Sequence, residues 1–243
     1  MSSKCYDYLA HIGEILEKVK TTQWDSIEKS AKKIAETIAA GHSVYIFGAS
    51  HAGILAQEMF YRTGGLAVVN AILPSEFMLN TRPVTQTSAM ERLGGYPTVI
   101  LNNSDVEKGD MLLLHSVSGR NTAAIEMAIK ASEMGIYTTA ITNMEYSTQV
   151  TSRHSRRKKL YEVCDVVIDN CGDYEDSSML LQGMKQKIAP TSSVVGCAIV
   201  NMLEIRTVEY LLEPPVFHSA NVDGGDEFNR TLFEKYKDQI HYM

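Results

Sequence analysis

Apolar residues early in the chain recur at three- and four-residue steps: Tyr8, Ile12, Ile15, Leu16 and Val19, then Trp24, Ile27, Ala31, Ile34, Ala35 and Ile38 up to Gly41. That period puts an apolar stripe on each of two successive amphipathic helices. The pattern then changes. Val44 to Phe47 is a short unbroken apolar run followed by small residues, which reads as a buried strand and a turn. A helix ending near Gly64 and Gly65 and a second strand are predicted after it. The same order returns with a strand at Met111 to Leu114, a helix over Thr122 to Met134 and a strand over Tyr137 to Thr142. Repeated strand, helix and strand units predict an α/β fold with a parallel sheet.

Between the two units, residues 73–97 mix Pro, Thr, Ser and Gly and predict a loop with a short helix, and Thr98 to Leu101 predicts a strand. Val163 to Ile168 is a further strand candidate. A long apolar helix is predicted from about Val194 to Leu212, stopped by Pro214 and Pro215, and the tail after Gly224 predicts a last helix. No solenoid repeat or low-complexity linker interrupts the chain, so it reads as a single domain. Its parts are a helical extension over 1–41, a core over about 42–212, and a closing loop and helix over 213–243.

At 243 residues and 44% hydrophobic, the chain should bury about 70 to 75% of its unfolded surface without a staple. Its four cysteines lack disulfide-framework or zinc spacing, and Cys164 and Cys171 read as buried or incidental, so no metal or cofactor is expected and a reducing cytoplasm fits. The amino terminus has no apolar signal core and the chain no membrane-length apolar run, which argues against secretion and membrane spanning. A net charge of -6 gives no general pull on nucleic acid. One basic run departs from it: Arg153, His154, Arg156, Arg157, Lys158 and Lys159, read as a solvated loop or as a lid or dimer loop that attracts an anion.

In a parallel sheet the ligand sits beyond the carboxyl ends of the strands, where helix amino termini offer free N–H groups. Two loops fall there. The first, Gly48 to Gly53, is small enough for close approach and carries Ser50 and His51. Ser50 stands where a dinucleotide fingerprint needs its second glycine, and no Walker lysine follows. The second, Ser116, Val117, Ser118, Gly119, Arg120, Asn121 and Thr122, could surround a phosphate with neutral donors and one cation. Helix capping and turn formation are the plainer explanation of the same residues.

These residues resemble the sugar isomerase (SIS) domain family, whose phosphate loop follows an S-x-S-G-x-[ST] pattern. Ser116, Ser118 and Gly119 match it, Asn121 takes the last place and Thr122 follows. Gly48 and Ser50 resemble the family's first loop, and Pro190, Thr191, Ser192 and Ser193 its third ligand-facing element. Stretches such as GASHAGILAQEMFYRTGGL, ERLGGYPTVIL and PPVFHSANVDGGDEFN are similar to a branch that carries the phosphoheptose isomerase label. The resemblance implies a three-layer sandwich with a five-stranded parallel sheet, a phosphorylated sugar as ligand and a homodimer. True phosphoheptose isomerases bind a metal six and ten residues past the first-loop serine, where this chain has Ala56 and Phe60, so no metal is carried over.

For an aldose–ketose isomerisation, Glu58 on the first core helix is the candidate base, and His51 could assist ring opening or proton shuttling. The alternatives are a surface pair of Glu58 with Arg62 and a capping His51. The resemblance lets His218 reach a neighbouring subunit's site, with Asn221 and Asp223 as second-rank candidates; the alternative is a connecting turn in which Asp223 or Asp226 caps the last helix. Three functions remain open: a phosphosugar isomerase, a lyase or etherase on an amino-sugar phosphate, and a non-catalytic phosphosugar sensor.

Overall fold

The computed structural model describes residues 3–243. Two helices open it, α1 (Lys4–Thr22) and α2 (Trp24–Ala39), burying Ile12, Ile15 and Val19, then Ile27, Ala31, Ile34 and Ile38. Five strands follow: β1 (Val44–Gly48), β2 (Val69–Ile72), β3 (Met111–His115), β4 (Tyr137–Thr142) and β5 (Val166–Asp169). All pair parallel, in the order β2-β1-β3-β4-β5. The helices between and after them are α3 (Ile54–Met59), α4 (Gln86–Met90), α5 (Tyr96–Asn102), α6 (Thr122–Glu133), α7 (Met144–Gln149), α8 (Ser192–Tyr210) and α9 (Gly225–Lys235).

Because helices cover both faces, the central strands are apolar at nearly every position instead of alternating. The alternation survives in where the side chains go. Val44, Ile46, Met111 and Leu113 join a core with α1, α2, α3 and α8, whereas Tyr45, Phe47, Leu112 and Leu114 join a second core with α6 and Phe77. Leu232 of α9 belongs to the first core. The tail after α9 closes the β2 edge: Asn70 donates to the Gln239 carbonyl at 2.9 Å and accepts from the His241 N–H at 2.7 Å, leaving less of that edge open to pairing.

One predicted element changes type. Thr98 to Leu101, read as a strand, lies inside helix α5. Pro97 occupies its first turn, Pro97 and Leu101 are buried four residues apart, and Val99 between them is 54% exposed, so one side of the run packs while the other faces solvent. The Glu126 carboxylate, on α6, accepts the Gly95 N–H at 2.9 Å and the Thr98 hydroxyl at 2.7 Å, supplying a helix-start signal from distant sequence. The other boundaries move by a few residues; the helix expected to run to Gly64 ends at Met59. No described helix is long and apolar enough to cross a membrane.

The strand order sets the site. From β1 the chain crosses outward to β2, and from β3 it crosses the other way to β4, so a crevice opens between the loops that leave β1 and β3. Gly48 pairs with His115, and His115 with Ile141, so these strand ends lie side by side.

Candidate functional site

The first loop folds tightly on the end of β1. A Cβ on Gly48 would lie 2.3 Å from the Ala52 carbonyl oxygen, so only glycine fits there. Ser50 adopts a positive φ of 58°, a left-handed backbone that a serine seldom takes. His51 is exposed at the rim. Beneath the loop, His115 Nδ1 lies 3.0 Å from the Ala52 oxygen; since a carbonyl only accepts, Nδ1 carries the proton. The ring is 2% exposed, burial holds its pKa below the ordinary value, and Nε2 has no partner. His115 is therefore neutral, with an unused acceptor.

The second loop continues the β3–β4 ladder past the strand ends. Ser116 N–H donates to the Ile141 carbonyl at 3.1 Å and Asn143 N–H to the Val117 carbonyl at 2.9 Å, while the Thr142 hydroxyl donates to the Ser116 carbonyl at 2.7 Å. Gly119 turns the chain with φ 58°, and a Cβ there would stand 2.8 Å from Ser147 Oγ and 3.1 Å from Thr142 Oγ1. Asn121 occupies the N-cap position of α6 without capping it. Its Nδ2 instead donates to Glu91, and its Oδ1 receives Arg153 Nη1 at 2.8 Å. The Thr122 hydroxyl donates to the Arg153 carbonyl at 3.3 Å, and Arg120 donates to Thr151 at 3.2 Å. The hydroxyls of Ser50, Ser116 and Ser118, all half-buried, have no hydrogen-bond partner among the described residues.

The third element is occupied from within. Asp176 accepts the Ser192 N–H at 2.8 Å, the Ser192 hydroxyl at 2.6 Å and the Thr191 N–H at 3.2 Å, so its carboxylate caps α8 where an anion would otherwise bind. The charge of Asp176 also reaches His115.

The basic run folds back on the second loop. Arg153 N–H donates to the Arg120 carbonyl at 2.8 Å, and Lys159 Nζ caps the end of α7 through the Ser147 and Val150 carbonyls at 2.6 and 3.1 Å. Partial burial and the charges of Arg120 and Arg92 hold the Arg153 pKa below the ordinary arginine value. Three guanidinium groups thus create a positive field beside the serine turn of an acidic protein.

Two residues that sequence reasoning passed over belong here. Glu91, at the end of α4, lines the crevice with Ala49, Ala52, His115, Ser116 and Asn121. Burial pushes its pKa up, partly offset by the Asn121 hydrogen bond. Glu91 opens one of the family-like stretches, but its placement depends on contacts with α6: its carbonyl accepts the Ala123 N–H at 3.0 Å. His115 reads in sequence as the end of an apolar strand, and only its isolation in that run could have marked it.

The catalytic candidates do not converge on the crevice within one chain. Glu58 forms an ion pair with Arg62 and accepts from Asn201 on α8 at 3.0 Å. His218 stacks on Phe228 with ring centroids 3.7 Å apart and lines a separate cavity of about 350 Å³ with Arg62, Phe217 and Arg230. Asn221 and Asp223 are exposed in the adjoining turn. That cavity is larger than the crevice, about 20 Å³. It nevertheless lies where α3 hands over to β2, away from the strand ends that a parallel sheet uses for ligands.

The SIS domain family model matches residues 7–143. A UPF0309 protein of Oceanobacillus iheyensis is 47% identical over 98% of each chain, and one of Shouchella clausii 45% identical over 97% of this chain and 98% of its own. A solved phosphoheptose isomerase from Francisella tularensis superposes with a TM-score of 0.56 at 16% identity, covering 86% of this chain and all of that one. The sugar isomerase domain of an RpiR transcription factor from Sphaerobacter thermophilus reaches 0.50 at 14% identity, covering 96% and 97%. At these identities the likeness is one of fold, and an enzyme and a regulator share it. With a family model spanning more than half of its length and close relatives along nearly all of it, the chain belongs to the SIS-domain family.

Proposed function

We propose that this chain binds a phosphorylated sugar in the crevice between the β1 and β3 loops. The phosphate sits on the serine turn that runs from Ser116 to Thr122, with Ser50 beside it, while the amino end of α8 at Thr191 and Ser192 keeps its Asp176 cap and stays out of the phosphate's bonds. One observation carries the reading. Of the six buried polar side-chain atoms without a partner among the described residues, four lie at the carboxyl end of the sheet: His115 Nε2, Arg120 Nε, Ser147 Oγ and Asn170 Nδ2. Each such group costs about 1 to 3 kcal/mol unless something bonds to it, so their gathering beside three free serine hydroxyls and a positive field fits an anionic, hydroxyl-rich ligand.

Aldose–ketose isomerisation is the second reading. It is favoured by the carboxyls where α3 packs on α8: Glu58 accepts from Asn201 there, and burial pushes Glu204, under the charges of Glu58 and Arg62, up to about 7, in the range a general acid or base needs. In this reading the protein is a homodimer and His218 serves the crevice of the second copy.

Thermal melting with hexose, pentose and heptose phosphates, each beside its unphosphorylated parent, tests the first reading. A ligand at about 100 times its Kd adds roughly 2.7 kcal/mol, a rise of several degrees for a chain of this size. The rise is expected with a phosphorylated sugar, not with its parent, and is lost in Ser118→Ala; no rise with any phosphate overturns the reading.

A further inference from the structure

At the amino end of the sheet, away from the crevice, His42 meets two carboxylates. It stands two residues ahead of β1; Asp110 stands directly ahead of β3, which pairs with β1, and Glu107 lies in the loop before it. One ring nitrogen faces both acids: His42 Nδ1 is 3.7 Å from Asp110 Oδ1 and 3.8 Å from Glu107 Oε1. Neither contact is a hydrogen bond, and Nδ1 is buried with no partner among the described residues. One ligand atom from each of the three residues lies within 4.8 Å of the other two. His11 also contacts two carboxylates, yet it spends a different nitrogen on each, Nδ1 on Glu14 at 3.4 Å and Nε2 on Asp173 at 2.8 Å. The imidazole of His11 is thereby satisfied, whereas at His42 the three groups converge and leave a gap between them.

The surroundings hold two of the groups and leave the third adjustable. The Asp110 side chain is 1% exposed, and its two oxygens accept the Ser43 and Glu107 N–H groups, both at 2.8 Å, which fixes the carboxylate and leaves each oxygen a further lone pair. The His42 ring lies against Gly109, where a Cβ would stand 2.4 Å from Nε2 and 2.5 Å from Cε1. The Glu107 side chain is 76% exposed and has no hydrogen bond among the described residues, so it can turn toward the gap. Lys108 lays its stem over Gly135, and no lysine or arginine forms an ion pair with either acid among the described residues. We propose that His42, Glu107 and Asp110 bind a divalent transition-metal ion, Zn²⁺ by preference, with water in the remaining positions. Bonds of about 2.0 to 2.2 Å to an imidazole nitrogen and to carboxylate oxygens span such a gap. The imidazole selects against Mg²⁺ and Ca²⁺, which take oxygen ligands. The ion offsets the charge of two acids and ties the entry of β1 to the entry of β3. It is a clamp, one strand length or about 15 Å from the crevice, and shares no residue with it.

Titration calorimetry and melting of the full chain in chelator-treated buffer, with zinc chloride and with magnesium chloride, decide it. Zinc should saturate at one ion per chain and, in excess, raise the melting temperature by several degrees, and magnesium should do neither. His42→Gln and Glu107→Gln should each weaken zinc binding at least about tenfold. The second replaces an exposed side chain that bonds to nothing in the fold, so it decides the matter if the first fails to fold. In crystals grown with zinc, anomalous scattering at the zinc edge should place the ion about 2.0 to 2.2 Å from His42 Nδ1 and from an Asp110 oxygen. No saturable zinc binding, unchanged affinity in either folded variant, magnesium binding as tightly as zinc, or a zinc peak only at other residues overturns the proposal.

Discussion

At the amino end of the sheet, Asp110 receives the backbone N–H groups of Ser43 and Glu107, both at 2.8 Å, and Gln239 donates to the carbonyls of His42 and Ile38 at 2.7 and 3.1 Å. In the tail, Asn229 is bonded through both ends of its amide to the backbone of His218, at 2.9 and 3.0 Å. At the carboxyl end more is left over: the serine hydroxyls and four buried polar atoms, against two at the amino end, Thr37 Oγ1 and His42 Nδ1. Similar residue types thus do different work at the two ends. Where side chains close loops and edges, the backbone consumes their hydrogen-bonding capacity and they stabilise the fold. Where capacity remains unused in half-buried positions, the fold bears a cost that a ligand can offset.

Substitutions separate the two ends. The largest effect is expected from Gly48→Ala, because the added carbon meets backbone and not a movable side chain; a loss of about 3 kcal/mol or more should appear in urea unfolding. A destabilisation near zero would mean that the first loop is loosely held.

Next comes the buried carboxyl of Glu204, which accepts the Leu66 N–H at 3.3 Å. Its pKa is raised by burial from the ordinary 4.5 to about 7, so between these values the folded state binds more protons than the unfolded state, and stability falls as pH rises through the window. The loss approaches about 3 kcal/mol above the upper value. Glu204→Gln should remove it, so the variant gains on the parent as pH increases and loses that gain at low pH. A constant difference across the window would contradict the assignment.

A smaller effect separates the two ends directly. Asn229→Ala should cost about 1 to 2 kcal/mol and leave phosphosugar binding unchanged, because it removes two bonds that only shape the tail. Ser118→Ala should do the reverse, changing the stability of the free protein by no more than about 0.5 kcal/mol while abolishing the ligand-induced rise in melting temperature. Equal damage to stability from both would erase the distinction between structural and ligand-facing polar groups.

Much of the architecture is legible in the chain because it depends on local period. The stripes of α1 and α2, the apolar runs of β1 and β3 and the turn at Gly119 all lie within a window of a few residues. The α5 segment misleads for the same reason. Its four apolar-rich residues carry too short a pattern to separate strand from helix, and the deciding contact, Glu126 on its amino end, lies in another element. Of the site, the serine turn could be seen because a tight phosphate loop is contiguous in sequence.

Local pattern along the chain specifies the alternation of strands and helices outside α5, the glycine-dependent turns at the strand ends and the kinship with the SIS-domain family. Tertiary structure decided what those turns face. It brought Glu91 against Asn121, Arg153 against the second loop and Asp176 onto the start of α8, and it sealed His115 under the first loop with one nitrogen unused. It also held Glu58 on Arg62 and Asn201. The physical reason is one of range. Secondary structure and tight turns follow from neighbours along the chain, whereas burial, charge pairing and unspent hydrogen bonds depend on residues that only the packed fold makes adjacent.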